Sequence, residues 1–443
     1  MPDASTIKNH LEKAIYDLAL HPELFANNPD KDFTRCRKIS VRDVLRFPIL
    51  MERDSVDMEL LKYYDYGPDA TPTQSAYIQQ RSKLAPDTFK LILDRFNKTL
   101  PVSTYLGKYV LYGVDGSGFN IFFNPNDPDT YNPPSGKSKL GNNEIHVVAS
   151  YRLTDLIFTN AIIQPCRRKN EYSAVCDLID NSSFDGGIPL FIMDRGFPSF
   201  NMFSHAKEKG VFYLSRAKDL YIERLLKNDM PTGTDEFDLT VERIIIRSQS
   251  QKHRSQPDNP DIYRYVDRNT KFDYIEPASS DEYPLTIRVV RLKIGEGQYE
   301  NLVTNLPADE FDADALRALY YTRWGIETAF SYLKHAIGAI DFHCKTFENI
   351  IHEVWARLIL FNCCSAITAL AVPKQPEDSD FVYKVNFTMA FKNAHTFLRQ
   401  KESSQIIGDI IALIERYLCP IRPERYFERR HRFQSPLKFS YRH

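Results

Sequence analysis

The sequence predicts an α/β fold with helical regions at both ends and a strand-rich middle. Before residue 105 and after residue 307, apolar residues recur at the three-to-four-residue spacing typical of amphipathic helices. Between these limits they form short alternating or continuous runs bounded by glycine, proline and asparagine, which is the pattern of strands. The chain has 443 residues, of which 43% are hydrophobic and 26% charged. This composition fits a soluble globular protein of about two to four domains.

Composition also limits the classes of partner. The formal net charge is −1, so a DNA-binding surface can only come from local clusters of lysine and arginine. The seven cysteines contain no C-x2-C pair, which argues against a zinc site and a disulfide framework and suits reduced thiols. No signal peptide is recognised, and the most apolar stretch, residues 354–372, contains Arg357 and Asn362. We interpret that stretch as a buried core helix and expect a cytoplasmic protein without a membrane partner.

The first hundred residues are predicted to be helical. Helices are expected at residues 6–20, 41–46, 75–84 and 87–96, with Ser40 and Thr73 as caps. A basic cluster in this region contains Lys31, Arg35, Arg37, Lys38, Arg42 and Arg46. The cluster suits contacts with DNA phosphates. A solvated helix face is an equally good interpretation, because three aspartates share the same stretch.

The strand-rich region contains two aspartates in suggestive settings. Residues 108–123 predict a strand, a tight turn opened by Asp115 and a second strand. Further strands are expected at residues 145–151, 156–163, 188–193 and 211–214, and helices at residues 171–180 and 198–209. Asp194 directly follows a buried strand, which is a common position for a functional site. Taken alone, Asp194 is as well explained as a helix cap, and Asp115 is more typical of a turn.

Two other segments are candidates for DNA contact. Residues 219–306 continue as strands with long polar loops, and the basic loop at residues 247–256 contains Lys252 and Arg254. We interpret it as an exposed loop, with DNA contact as the alternative. After residue 372, helices are predicted at residues 388–400 and 404–418. The tail from residue 421 mixes basic and aromatic residues, which suits either DNA binding or a disordered, solvated tail.

Residues 320–334 are predicted to form one amphipathic helix. Helical spacing places four polar residues in a sector of about 60°: Tyr320, Arg323, Glu327 and Lys334. The adjacent stripe of apolar residues is expected to be buried, so the four polar groups are expected to point past the edge of the helix. By itself this arrangement is more typical of a solvated ladder of ion pairs.

Together with the two upstream aspartates, the spacing Y-x2-R-x3-E-x6-K resembles the signature of the YREK-type DDE transposases of bacterial insertion sequences. The resemblance implies an RNase H-like catalytic core interrupted by a β-rich insertion, with Asp115, Asp194 and Glu327 as catalytic metal ligands. Three carboxylates without His or Cys suit two Mg²⁺ ions, for which Mn²⁺ can substitute. The implied division is a helical DNA-binding domain, the first part of the core, the insertion, the second part of the core and a helical C-terminal region with a basic tail (residues 1–104, 105–218, 219–306, 307–372 and 373–443).

The same resemblance implies a DNA substrate. Tyr320, Arg323 and Lys334 would grip backbone phosphates, and a homodimer would act on terminal inverted repeats and on target DNA, cutting through a hairpin intermediate. A helix over residues 320–334 spans about 21 Å, which is long enough to meet several successive phosphates. Two alternatives stay open. One is a transposase-derived DNA-binding protein without catalysis, and the other is an RNase H-like structure-specific nuclease.

Overall fold

The computed structural model describes residues 3–35, 37–134, 140–248, 261–376, 379–400 and 409–422. Its centre is one mixed sheet of ten strands in the order β2-β3-β1-β5-β6-β10-β9-β7-β8, with β4 also paired to β3. The central strands β1, β5 and β6 are parallel, and their neighbours on both sides are antiparallel. The strands of the sheet are β1 (Tyr109–Ile121), β2 (Tyr131–Asn132), β3 (Asn142–Arg152), β4 (Ile157–Pro165), β5 (Ile188–Met193), β6 (Phe212–Ala217), β7 (Phe237–Ile246), β8 (Tyr263–Tyr265), β9 (Glu282–Gly295) and β10 (Gln298–Thr304).

Helices cover both faces of the sheet. They are α1 (Ala4–Ala19), α2 (Val41–Leu50), α3 (Val56–Tyr63), α4 (Gln74–Arg81), α5 (Thr88–Asn97), α6 (Glu171–Asn181), α7 (Phe200–Lys209), α8 (Asp219–Leu226), α9 (Ala313–Tyr321), α10 (Trp324–His335), α11 (Phe347–Thr368), α12 (Phe387–Arg399) and α13 (Ile410–Glu415). Helices α6, α7 and α8 share a core with one face. Helices α9 and α10 pack on the other face, and α10 belongs to a larger core that includes α1, α2, α5 and α11.

Most predicted elements of the central region are confirmed. Strand β5 has the predicted bounds, and β3, β4, β6, α6 and α7 lie within a few residues of theirs. These elements were predictable because each combines a clear apolar period with a polar or glycine boundary. The strands predicted after residue 219 are also present, and they lengthen the central sheet through the pairing of β10 with β6.

The predicted turn at Asp115 is wrong. Strand β1 continues without interruption through Asp115, Gly116 and Gly118, and all of them pair with β3. The glycines serve close packing instead of a turn. A Cβ atom at Gly116 would lie 2.6 Å from His146 Nε2, and one at Gly118 would lie 2.5 Å from Glu144 Oε1. Side chains from β3 therefore lie across the strand where β1 has none.

The single helix predicted over residues 320–334 is also wrong, because the chain forms two helices there. Helix α9 ends at Tyr321 and α10 begins at Trp324. Between them the amide of Arg323 bonds to the carbonyl of Tyr320, three residues back. The hydroxyl of Thr322 donates to the carbonyl of Leu319 at 2.7 Å. These bonds tighten the turn, which is a common way for a helix to be interrupted.

The helical regions match the predictions in part. Ser40 and Thr73 cap α2 and α4 as predicted, whereas the short helix α3 was not predicted. Helix α11 is long and apolar enough to cross a membrane by length and composition, but 89% of its most apolar window is buried inside the protein. The predicted buried helix is therefore confirmed.

The C-terminal region departs from the prediction after α12. The helix predicted at residues 404–418 is represented by the shorter α13, and residues 401–408 lie outside the described part of the chain. Residue Leu418 starts a short strand, β12 (Leu418–Pro420), which pairs with β11 (Tyr383–Val385). The basic tail from residue 423 lies outside the described residues, as do Lys252 and Arg254.

Candidate active site

Three carboxylates from separate elements meet at one end of the parallel strands. Val114 of β1 pairs with Met193 of β5, so the next residues, Asp115 and Asp194, emerge side by side. Glu327 lies in the first turn of α10, which packs against β1. The parallel pairing brings together Asp115 and Asp194, which are 79 residues apart in sequence, and the packing of α10 adds Glu327, another 133 residues on. The structure brings together the three residues that the sequence singled out.

The side chain of Arg323 links these carboxylates. Its Nη2 atom lies 2.8 Å from Glu327 Oε1, and its Nη1 atom lies 3.8 Å from Asp115 Oδ2. The hydroxyl of Tyr320 donates to Asp194 Oδ1 at 3.1 Å. Each of the three acidic groups therefore faces a donor from the α9–α10 junction.

The sequence predicted that Tyr320 and Arg323 point past the edge of their helix, and this prediction is wrong. They are only 2% and 4% exposed, respectively. The reason is electrostatic, because partly buried carboxylates need partners and the interrupted helix turns both donors toward them. Lys334 is half-buried, and its Nζ atom donates to Ser117 Oγ at 2.7 Å and to the carbonyl of Gly118 at 2.8 Å. Trp324 beside them is 48% exposed.

Burial sets the charge balance of this centre. It raises the pKa of Asp115 to about 6, with the amide of Gly116 and the guanidinium of Arg323 opposing the rise and Glu327 and Asp194 adding to it. Burial would lower the pKa of Arg323, but Tyr320 and the surrounding carboxylates raise it on balance. Burial lowers the pKa of Lys334. At Arg323 the surrounding carboxylates therefore outweigh burial and favour positive charge.

The donor set fits hard divalent cations. It offers carboxylate oxygens from Asp115, Asp194 and Glu327 with neither histidine nor thiol, which suits Mg²⁺ or Mn²⁺. Two buried donors of Arg323, Nε and Nη1, have no hydrogen-bond acceptor among the described residues. A phosphate oxygen is a good acceptor for such donors. The residues thus fit a metal site beside a phosphate.

A second acidic cluster is a poor candidate for a metal site. Within the described ranges, Glu52, Asp54 and Glu59 are the one acidic, His or Cys set whose ligand atoms all lie within 4.8 Å of one another. Basic side chains already pair with these carboxylates. Lys62 Nζ lies 3.2 Å from Glu52 and also contacts Asp54, and Arg399 Nη1 lies 2.9 Å from Glu52. The catalytic candidates are more widely spaced, with Arg323 between them.

Most of the predicted N-terminal basic cluster is on the surface, but Arg46 is largely buried and pairs with Glu12 at 2.6 Å. Arg35, Arg37, Lys38 and Arg42 are all exposed. Arg35 and Arg37 line an open cavity of about 460 Å³, while Arg42 pairs with Glu12 at 2.8 Å. Their role in DNA binding stays a prediction.

Sequence reasoning missed Ser117 of β1 and two residues that approach this strand beside Asp115, His146 and Glu171. His146 and Glu171 approach Gly116 from the other face of the sheet, and Ser117 holds Lys334. The available signal was the G-S-G run after Asp115, which indicates either a turn or a strand crossed by its neighbours' side chains.

The family model described as the transposase DDE domain matches residues 108–363, which is more than half of the chain. The chain belongs to the DDE transposase family. The matched range includes all three carboxylates and the α9–α10 junction. No curated protein matches this DDE transposase.

Among solved structures, the DDE transposase is similar to the piggyBac transposase in a cryo-EM synaptic complex with hairpin DNA. The two are 11% identical over 94% of this chain and 85% of the other, with a TM-score of 0.43. A likeness this distant carries no conclusion about the mechanism of this protein.

Proposed function

We propose that this DDE transposase is a YREK-type enzyme of a bacterial insertion sequence that acts by metal-dependent cut-and-paste transposition in the cytosol. Its substrates are terminal inverted repeats and target DNA, and its active form is a homodimer that holds two ends. One observation carries the proposal: Asp115, Asp194 and Glu327 converge on Arg323 from three elements. The strand order β4-β3-β1-β5-β6, three antiparallel strands and then two parallel ones, supports an RNase H-like core.

In this proposal Asp115, Asp194 and Glu327 hold two Mg²⁺ ions. When bound, the ions activate the attacking oxygen and stabilise the leaving oxygen of a phosphodiester. Tyr320 fixes the orientation of Asp194 through its hydroxyl. Arg323 donates its two unmatched N–H groups to a phosphate oxygen, which neutralises charge as the phosphate enters.

In this scheme Lys334 holds the part of β1 that follows Asp115. Its amine binds Ser117 and the carbonyl of Gly118 and lies 4.6 Å from the centre of the Phe119 ring. A phosphate that approaches β1 therefore meets a half-buried cation beside Asp115.

We also propose that this enzyme cuts the second DNA strand through a hairpin intermediate.

Asp194→Ala tests the proposal directly. We expect this variant to bind a cognate inverted repeat normally and to lose cleavage with Mg²⁺ or Mn²⁺, because it removes one metal ligand and leaves the phosphate contacts. Asp309→Ala is the matched control and should cleave normally, because Asp309 is exposed and adjoins Glu310, which pairs with Lys108 before the start of β1. Full cleavage by Asp194→Ala would contradict the assignment.

The products distinguish a transposase from its alternatives. We expect the intact protein to excise the ends and join them to a second DNA in a strand-transfer assay. Cleavage without joining would indicate a structure-specific nuclease. Binding without cleavage in any divalent ion would indicate a DNA-binding protein that has lost catalysis.

A further inference from the structure

A histidine and a carboxylate lie behind the candidate active site, on the opposite face of the sheet. His146 is on β3 and only 5% exposed. Glu171 is the first residue of α6, whose N-terminus is capped by the side chain of Asn170. His146 Nε2 and Glu171 Oε1 are 2.8 Å apart. The ring N–H is not aligned with that oxygen, so the attraction is that of an ion pair when the ring is protonated.

The carboxylate of Glu171 lies beside both chain segments that carry the aspartates. A Cβ atom at Gly116, next to Asp115, would lie 3.0 Å from Glu171 Oε1 and 2.6 Å from His146 Nε2. A Cβ atom at Gly196, two residues after Asp194, would lie 3.7 Å from Glu171 Oε2. One side chain therefore fills the space behind both segments.

We propose that His146 and Glu171 are positioning residues that set the spacing of Asp115 and Asp194 from behind the sheet. The inference rests on the proposed function, because only a two-metal reaction makes that spacing critical. Two ions that act on one phosphodiester lie about 3.5 to 4 Å apart. A displacement of about 1 Å in such a centre can lower the rate about a hundredfold.

Electrostatics agrees with this arrangement. The contact with His146 lowers the pKa of Glu171, and the nearby charge of Asp194 opposes that shift. Glu171 thus remains negatively charged close to an aspartate that must bind a cation. The close contact with His146 keeps the carboxylate against the strand ends.

The chain provides a matched control on the same helix. At the other end of α6, Asp180 pairs with the buried His205 at 2.9 Å. The side chains of His146 and His205 are 6% and 8% exposed, and those of Glu171 and Asp180 are 36% and 44% exposed. Removing either carboxylate therefore removes an ion pair from α6, although His205 keeps a second partner in Asp273 at 2.9 Å. Of the two carboxylates, Glu171 is the one beside the segments of Asp115 and Asp194.

The test compares Glu171→Ala, Glu171→Gln and Asp180→Ala with the unaltered protein. Mn²⁺ affinity is measured without DNA, from the rise in melting temperature during a titration, and then the rate and KM of end cleavage are measured. We expect Glu171→Ala to weaken Mn²⁺ binding about tenfold and to slow cleavage about 10- to 100-fold at unchanged KM for DNA. Glu171→Gln preserves volume and one acceptor oxygen, so it should lie between these values and the unaltered protein.

Asp180→Ala should lose less melting temperature than Glu171→Ala, because His205 keeps Asp273 as a partner, and it should keep its Mn²⁺ affinity. Equal Mn²⁺ affinity in Glu171→Ala and Asp180→Ala would overturn the inference. If Glu171→Ala does not fold, an unchanged Mn²⁺ affinity in both Glu171→Gln and His146→Gln would overturn it. Failure of the unaltered protein to bind Mn²⁺ or cleave DNA would instead remove the proposed function itself.

Discussion

At the scale of single residues, Arg323 is the main counter-ion of the candidate active site. It is nearly inaccessible and lies against Glu327 and Asp115, and its charge also interacts with Asp194. Removing one partner of a buried ion pair leaves the other charges uncompensated. The resulting loss of folding stability is larger than the stability that the intact pair contributes. Arg323 thus stabilises the metal-free protein at the position where ions would compensate the same carboxylates.

We expect Arg323→Gln to destabilise the metal-free protein by about 1–2 kcal/mol, a value reduced because Asp115 and Glu327 are partly solvated. Added Mn²⁺ should stabilise this variant more than the unaltered protein, because the ion supplies the missing positive charge. Urea unfolding with and without Mn²⁺ measures both effects. Arg224→Gln, at an exposed arginine of α8, is the control. An equal response to Mn²⁺ in both variants would argue against the counter-ion role.

The raised pKa of Asp115 predicts how metal binding depends on pH. Because burial raises this pKa to about 6, an ion must displace a proton below that pH. Mn²⁺ affinity should therefore increase about fivefold from pH 5 to pH 6 and level off above about pH 7. The stability of the metal-free protein should change with pH in the opposite direction. The folded pKa exceeds the unfolded value of about 3.9, so this contribution falls as pH rises from 4 to 6.

Titrations of Mn²⁺ at several pH values, followed by the melting temperature, measure this dependence. Asp115→Asn is the reference, because it cannot titrate at this position. A pH dependence of the same steepness in both proteins would show that another group controls the affinity.

At the scale of single elements, β1 depends on glycines to remain straight beside Asp115. The sheet needs Gly116 and Gly118 because side chains of β3 and α6 occupy the space where their own would lie. Strand β1 therefore serves two functions at once. It supplies Asp115 on one face and receives the His146–Glu171 pair on the other.

Gly116→Ala should lower both the melting temperature and Mn²⁺ affinity, because the added methyl group would have to displace the buried ring of His146. Gly295→Ala is the matched control. It also lies in a strand, and its Cβ atom would meet its nearest neighbour at an ordinary 3.5 Å. Thermal unfolding and Mn²⁺ titration of both variants measure the difference. An equally mild effect of the two substitutions would mean that His146 moves without cost.

At the scale of the whole molecule, the sequence predicts elements better than their partners. The strand before Asp194 was predictable because a short apolar run ends at a charged residue. The D-G-S-G run was not, since turn and strand share that signal and the deciding side chains, His146 and Glu144, belong to another strand. The inward orientation of Tyr320 and Arg323 depends on Asp194 and Asp115, more than a hundred residues away. Local periodicity contains no information about such partners.

The same distinction applies to the predicted domains, whose boundaries remain predictions. Helices α1, α2 and α5 share one hydrophobic core with α11. Buried polar groups reinforce this contact. Arg81 donates to the carbonyl of Asn349 at 2.6 Å, and Arg357 of α11 donates to the carbonyls of Met51 and Glu52. The N-terminal helices therefore complete the surroundings of α11, which packs against the helix of Glu327.

We expect a fragment of residues 1–104 to be largely unfolded when produced alone, because its apolar helix faces lose α11 as their partner. Residues 105–443 alone should expose the matching face of α11 and aggregate. Circular dichroism and size-exclusion chromatography of each fragment test this, and co-expression of the two should restore a soluble complex. A folded, monomeric 1–104 fragment would contradict the shared core. If the fragments depend on each other, DNA binding by Arg35, Arg37, Lys38 and Arg42 can be measured only in the complete chain, where α11 connects the N-terminal helices to the helix of Glu327.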